Sequence, residues 1–492
     1  MQQTKGAVMA YALFWYFSSY LHLDNFQNVL DNTNGHNGLR TGVQYLPSTF
    51  TTQTVRRSLK AALLETCETN EEYFDVLRSS VLVSKSFLHL FGDTLLEATG
   101  FLLISESNVL SISLKRVEAY LALPLWSLLN RPTRRVSSIE CAFSDYSFME
   151  VKLLYDYLES LPPWRSSPHV DNVTLDIPWT ERLWFVDILQ SLPVLGAKQL
   201  TLRCNGINHA LYGVNTQHFP DENYRNLRIL EIDGPAFFDD RCFLPWTRIM
   251  MSQTSITQLT LVHTPFDVKR WDDFLVGLWF PSLEVAKLET GMSIGGLAQF
   301  LFRHPTLTAL YVEAGTQPMV PGEPLKFKLV LPYLDSLHGP FNMLRVLLTA
   351  LGDGSNTIAC LGILPDMPTR GKLRLMGTDV ASILAEVPNI RFLRIVFPTD
   401  SAAMGFGRTA GHTSTAAERR VEKTLWRMES LEIVRPGTTM RRSFTENIVF
   451  YVDLFPALKT VKLTESSVPP SNFRTALLGR CPYLADQDII SD

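Results

Sequence analysis

Few of the residues that could do chemistry stand at spacings that would let them act together. Cysteine occurs at Cys67, Cys141, Cys204, Cys242, Cys360 and Cys481. No two form a Cys-x-x-Cys pair, so neither a thiolate zinc site nor a redox dithiol is expected. Their wide separation is unlike the dense disulfide framework of a small secreted domain, and they read as buried free thiols of a reducing compartment. The ten histidines are isolated. No His-Glu-x-x-His run sets two imidazoles on one helix face around zinc, and no Gly-x-Ser-x-Gly turn presents a nucleophilic serine. No Gly-rich loop ends in Gly-Lys-Ser/Thr to cradle phosphates. Gly405-Phe406-Gly407, followed by Gly411, lies in a Gly/Ala/Ser/Thr-rich stretch rather than between a strand and a helix, so it is not read as a dinucleotide loop. The carboxylate pair Asp272-Asp273 is read as a helix start, where negative charge offsets the helix dipole, rather than as a metal site. The expectation is a chain with no catalytic, metal-binding or cofactor-binding residue, and hence not an enzyme.

The bulk numbers narrow the partners. At 492 residues the chain is longer than one globular core usually grows, which points to several domains or a repeat array. Hydrophobic residues make up 46% and charged residues 19%, a balance that does not suit long disordered stretches. The formal net charge of -4 carries no basic excess for phosphate contacts, so nucleic acid is not expected as a partner. The arginine pairs Arg56-Arg57, Arg134-Arg135, Arg419-Arg420 and Arg441-Arg442 are scattered and read as solvated surface.

The elements that would have to position a binding surface are periodic. From about residue 136 onward one unit returns. It comprises an amphipathic helix, a short stop, then an apolar position, two spacers, an apolar position, one spacer and an apolar position. Clear copies are Leu227/Leu230/Ile232, Ile256/Leu259/Leu261, Leu307/Leu310/Val312, Ile390/Leu393/Ile395, Met428/Leu431/Ile433 and Leu458/Val461/Leu463. Weaker copies are Val170/Val173/Leu175, Leu283/Ala286/Leu288, Ile358/Leu361/Ile363, and Leu334 with Leu337. Val136/Ile139/Cys141 is a candidate first copy, and Leu195/Leu200/Leu202 fits with two extra spacers. Proline often stands two residues before the first apolar position, as at Pro281, Pro305, Pro388, Pro456 and Pro482. It lacks an N–H and disfavours helix at the residue before it, so each proline ends a helix and opens an extended segment. The preceding segments read as helices over Trp271–Phe280, Ile294–His304, Phe341–Leu351, Asp379–Val387 and Asn447–Phe455. Trp271, Trp279, Phe280, Phe300 and Phe302 on these helices are expected in the core.

Neighbouring units are about 24 to 30 residues apart, the period of leucine-rich repeats, in which each unit supplies one strand and one helix. A lone unit cannot cover its own apolar face, and stacking makes the core continuous. The predicted fold is therefore α/β: a leucine-rich-repeat solenoid with a parallel concave sheet and outer helices, preceded by a small helical region. The spacers should line the concave face: Thr257, Gln258 and Thr260 in one copy, Lys459, Thr460 and Lys462 in another, Arg391 and Arg394 in a third. Two turn-rich insertions, 314–323 and 401–417, interrupt the array.

Residues 7–23 (AVMAYALFWYFSSYLHL) form an apolar run after Lys5. It has the character of a signal-peptide core but lacks a small-x-small cleavage site, and it is shorter than a membrane span of about 20 apolar residues. A packed helix is the competing reading, and a membrane is not the expected partner. The sequon Asn172-Val173-Thr174 falls in a predicted strand and does not argue for secretion. A cytoplasmic or nuclear location is expected, with the secretory route left open by residues 7–23.

The repeat style over roughly the last 350 residues resembles the ribonuclease-inhibitor-like solenoids, and most closely the divergent F-box/leucine-rich-repeat proteins abundant in fungi. The phrase Leu331–Pro340 (LPYLDSLHGP), followed by an apolar helix, is of that kind. Upstream, Leu77–Leu96 reads LRSSVLVSKSFLHLFGDTLL. Val83, Ser84, Lys85 and Phe87 match the Val-Ser/Cys-Lys-x-Trp/Phe core of an F-box, with Leu82, Leu88 and Leu90 as its apolar positions. Leu59–Cys67 could be the preceding helix. The usual opening Leu-Pro with a Glu-rich first turn is missing, since Leu46-Pro47 lies too far upstream. The resemblance implies an uncertain N-terminus and linker over 1–55, an F-box-like helical region over 56–100, a connecting segment over 101–135 and a solenoid over 136–492. It further implies a substrate receptor of an SCF-type ubiquitin ligase, with Leu82, Val83, Lys85, Phe87 and Leu88 contacting the adaptor and a protein target on the concave face. The alternatives are a repeat protein with no ubiquitin link and, further off, a secreted or tethered recognition protein.

Overall fold

The computed structural model describes the chain from Phe101 onward, apart from residues 124–134, 161–169, 178–187, 205–223, 366–382, 397–426, 439–454 and some shorter stretches. The F-box-like stretch, the apolar run 7–23, the insertion 401–417, Cys67 and Cys242 lie outside the described residues. The chain divides into two compact units, Met1–Pro163 and Trp164–Asp492.

In the first unit, β1 (Phe101–Ile104) pairs antiparallel with β2 (Val109–Leu114), and β2 pairs parallel with β3 (Arg135–Ala142). Helix α1 (Phe148–Ser160) follows. Val136, Ile139 and Cys141 on β3 are buried, as the candidate first triplet requires.

The second unit is built on one parallel sheet. Its strands are β4 (Asn172–Asp176), β5 (Gln199–Arg203), β6 (Ile229–Asp233), β7 (Gln258–Val262), β8 (Val285–Glu289), β9 (Ala309–Glu313), β10 (Ser336–Pro340), β11 (Cys360–Leu364), β12 (Phe392–Val396), β13 (Ser430–Thr438), β14 (Thr460–Ser466) and β15 (Ile489–Ser491). They pair in chain order, each neighbour parallel. This is a leucine-rich-repeat solenoid. The middle apolar residue of each triplet falls in one row, running through Val173, Leu200, Leu230, Leu259, Ala286, Leu310, Leu337, Leu361, Leu393, Leu431 and Val461. All of them are buried. Because strand side chains alternate, a slip of one residue would turn a whole triplet to solvent, so the row holds the register.

The edge where the chain enters each strand is knitted by backbone. Thr257 N–H donates to Arg228 O, Glu284 N–H to Thr257 O, Thr308 N–H to Glu284 O, Asp335 N–H to Thr308 O and Ala359 N–H to Asp335 O, each at 2.8 or 2.9 Å. The same bond continues through Arg391, Glu429 and Lys459. Side chains reinforce it. Ser255 Oγ donates to Leu227 O, Thr306 Oγ1 to Leu283 O and Thr357 Oγ1 to Leu334 O. The prolines act one step earlier. Leu283 N–H reaches Phe280 O, Leu307 N–H reaches His304 O and Leu334 N–H reaches Leu331 O, so Pro281, Pro305 and Pro332 each occupy the second position of a four-residue turn, which their fixed φ suits.

The described helices of the second unit include α2 (Leu244–Met251), α3 (Val268–Val276), α4 (Ile294–Arg303), α5 (Phe341–Leu351) and α6 (Ser471–Leu478). Helix α5 matches the sequence expectation and α4 differs by one residue. Helix α3 does not match: it starts at Val268, where the Asp267 carboxylate accepts from Arg270 N–H, and it stops before Gly277. Asp272 is therefore inside the helix rather than at its start. Its carboxylate reaches the next repeat instead, accepting from Ser293 N–H at 3.0 Å and Ser293 Oγ at 2.6 Å. Ser293 in turn caps α4 through Gly296 N–H. The incomplete triplet at Leu334 and Leu337 also has a cause. The third position is Gly339, and a Cβ there would lie 2.1 Å from Met343 Cε, so a methionine from α5 fills the place of the missing side chain.

Candidate interaction surface

One face of the second unit's sheet is closed by the buried triplets. The alternate residues form the open face. Its middle row runs Thr174, Thr201, Glu231, Thr260, Lys287, Tyr311, His338, Gly362, Arg394, Glu432, Lys462. Of the spacers expected there, Thr260, Arg394 and Lys462 are in this row, and Gln258 and Thr460 stand in the row before it. Thr257, Arg391 and Lys459 precede their strands and belong to the backbone-knitted edge, because the first spacer's N–H is used to reach the preceding repeat.

Charges on the open face are matched across neighbouring strands. Arg203 Nη2 lies 3.4 Å from Glu231 Oε1, Lys287 Nζ 3.0 Å from Glu313 Oε1, and Arg394 Nε 3.4 Å from Glu432 Oε2. The last is a charge contact without hydrogen-bond geometry at Nε. Glu432 also accepts from Thr464 Oγ1 at 3.0 Å.

Between the second and third of these pairs the face changes character. The Tyr311 ring stacks on His338 with centroids 4.6 Å apart. His338 leans over Gly362, where a Cβ would lie 2.0 Å from Nδ1. His338 Nε2 meets Cys360 Sγ at 3.3 Å. Burial, then the charge of Arg394, pushes His338 down to about 4. Burial pushes the Cys360 thiol up to about 11, against an opposing hydrogen bond from Ser336. At neutral pH the pair is therefore a thiol and a neutral imidazole, not a thiolate and an imidazolium, and it lacks the charge state of an activated cysteine. Among the described residues no group of three or more His, Cys, Asp or Glu is placed to hold a metal ion. Cys141, Cys204 and Cys481 are buried thiols outside any disulfide, as expected, whereas Cys360 is half-buried on the open face.

The rim at the C-terminal ends of β6 to β9 is acidic. His263 sits there in the left-handed region, at φ 52°, with Nδ1 2.5 Å from Asp233 Oδ1. That hydrogen bond holds the imidazole above its ordinary value against the opposing effect of burial, helped by the fields of Asp233, Glu289 and Glu313. Glu289 itself is buried and accepts from Thr264 N–H at 2.9 Å.

Helix-side aromatics divide. Trp271, Phe280 and Phe300 are buried as expected. Trp279 and Phe302 are not, at 53% and 63% exposed. Helix α3 ends at Val276, so Trp279 falls in the following turn, and Phe302 faces outward on α4, edge-on to Phe327 at 6.0 Å.

No protein-family model matches the chain, and no curated protein matches it. Solved structures do. The yeast Rad7, solved in complex with Elc1, aligns over 89% of this chain and 92% of its own at 13% identity and a TM-score of 0.36. TLR13, solved with the RNA ssRNA13, aligns over 75% and 48% at 12% identity and a TM-score of 0.31. A Bacteroides fragilis protein from a structural genomics programme aligns over 72% and 76% at 11% identity and a TM-score of 0.27. At these scores the likenesses carry no argument about ligand or partner. The assignment to the leucine-rich-repeat solenoids rests on the sheet order and the buried triplets.

Proposed function

We propose that the chain is a non-enzymatic protein-interaction scaffold that holds a protein target on the open face of its solenoid. The observation behind this reading is the state of that face. It is continuous from β4 to β14, Arg203, Lys287 and Arg394 on it already face carboxylates, and the Cys360–His338 pair is neutral. Paired cations release few counterions on meeting a phosphate backbone, so a protein suits the face better than nucleic acid. A neutral thiol beside a neutral imidazole likewise favours contact over covalent chemistry. No helix of the described residues is long and apolar enough to cross a membrane.

The finer reading is a substrate receptor of an SCF-type ubiquitin ligase, acting inside the cell. It rests on sequence: the Val83-Ser84-Lys85-x-Phe87 core, flanked by Leu82 and Leu88, stands ahead of the repeats. Residues 56–100 would bury an apolar face on the adaptor, and the solenoid would raise the effective concentration of a target near the charged enzyme. Capture of the full chain by the purified SCF adaptor tests it. Binding that is lost on combined Lys85→Ala and Phe87→Ala substitution is the expected result. No capture of the intact chain would leave a repeat scaffold without the ligase link.

A further inference from the structure

We infer that the solenoid contains an acid-released joint between the repeats of β8 and β9, latched by the side chain of His304. The latch is a geometric one. His304 closes α4, is 0% exposed, and uses both ring nitrogens. Nδ1 lies 2.7 Å from Phe300 O, one turn back on its own helix, and can only donate to that carbonyl. Nε2 then carries the lone pair and accepts from Phe280 N–H at 3.0 Å. Phe280 belongs to the preceding repeat, directly after the exposed Trp279 and five residues before β8. One neutral tautomer therefore ties two successive repeats together at a point where their backbones are buried.

Protonation cannot be absorbed at this place. A second ring proton would point Nε2–H at Phe280 N–H, turning an acceptor into a donor facing a donor. The surroundings offer the cation little. The rings of Phe300, Phe280 and Trp279 lie with centroids 4.2, 5.9 and 6.3 Å from the imidazole. The charged group acting on it is Arg303, on its own helix, and it is repulsive. That guanidinium is itself held across the joint, with Nη2 2.6 Å from Leu275 O and Nη1 on Val276 O, at the end of α3. Burial, partly opposed by the Phe300 carbonyl, pushes His304 down to about 4, against 6.5 for a free imidazole.

The sign follows. The latched state binds its proton only below about pH 4, and an opened joint binds it below about 6.5, so acid favours opening across that interval. In a solenoid each repeat is stabilised by its neighbours, so a weakened interface opens the stack locally before the rest unfolds.

Hydrogen exchange on the full chain tests this. Between pH 7 and pH 5 the protection factor of the Phe280 amide should fall by about twentyfold, the ratio given by the two proton affinities. Protection on β5 and β13 should change much less. In His304→Gln, whose amide oxygen can still accept from Phe280 but does not titrate, the acid loss should disappear. An equal loss in His304→Gln, or a uniform loss across all strands, would overturn the inference. Should that variant fail to fold, titration of the His304 ring by nuclear magnetic resonance in the unaltered chain decides instead. A midpoint near 4 with local loss of protection supports the joint, and one near 6.5 without it refutes the joint.

Discussion

The two halves of the open face share one scaffold and differ in what stands on it. From β4 to β8 the middle row is Thr174, Thr201, Glu231, Thr260 and Lys287, of which Glu231 and Lys287 pair with a charge on an adjacent strand. From β9 to β11 it is Tyr311, His338 and Gly362, three residues packed on one another along the sheet. In the first, Thr174 and Thr260 stand outside these pairs, while Thr201 is buried and Glu231 and Lys287 each face a charge. In the second the glycine is shaped by the histidine and the histidine by the tyrosine and the cysteine. The same backbone ladder runs beneath both, so the difference lies in the spacers and not in the repeat.

The largest effect should be common to both halves. Leu259 on β7 and Leu361 on β11 occupy the same buried row. Truncating either to alanine should cost about 2–5 kcal/mol in urea unfolding. A loss at Leu361 far below that at Leu259 would mean the two regions are not one stack. The next effect should separate the halves. Gly362→Ala puts a Cβ 2.0 Å from His338 Nδ1 and must displace the ring, at a cost of about 1–3 kcal/mol. Thr260→Ala, in the same row of the other half, should stay within about 0.5 kcal/mol. Equal values would erase the distinction.

The remaining effects should be opposite in sign with pH. His338 is lowered to about 4, so the stability tied to its neutral form is intact above 6.5 and is lost as pH falls from there toward 4. His263 is raised, so its contribution is full below 6.5 and is lost as pH rises through its folded value. With 63% of its side chain exposed, the His263–Asp233 contact is solvent-screened and its effect is small and weakened by salt. Stability curves of His338→Gln and His263→Gln should flatten on the acid and the neutral-to-alkaline side respectively. A curve for His263→Gln that changes only below pH 6 would contradict the assignment.

Much of the fold was readable because it is local and repeated. An apolar triplet with two spacers and then one, opened by a proline turn, reads the same in Leu307/Leu310/Val312 as in Leu458/Val461/Leu463, and each copy strengthens the others. Where a copy was incomplete, at Leu334 and Leu337, the reason lay outside the window, in Met343 from the helix beyond. Helix α3 was misplaced because Asp267, an ordinary loop aspartate in sequence, is its cap, while Asp272, from the more conspicuous Asp272-Asp273 pair, serves the next repeat. Trp279 and Phe302 looked like core because apolar aromatics on an amphipathic segment usually are, and only the packing shows that they face out. The open-face cluster was within reach of the sequence: Tyr311, His338 and Gly362 each stand between two triplet positions, so strand alternation places them on one face. What alternation lacks is register across 20 or more residues of intervening chain, and so the meeting of Tyr311 with His338, or of His338 with Cys360.

The amino-acid sequence by itself determined the repeat, the parallel sheet it demands and which residues must be buried, because each unit's apolar face is written at short range and has nowhere to go but against its neighbour. The tertiary structure alone decided which spacers touch, which histidine is a latch and which a surface ion pair, and which aromatics remain bare. Those outcomes depend on distances between repeats, and a hydrogen bond or a desolvated imidazole exists only once two distant stretches of chain have been brought within about 3 Å of each other.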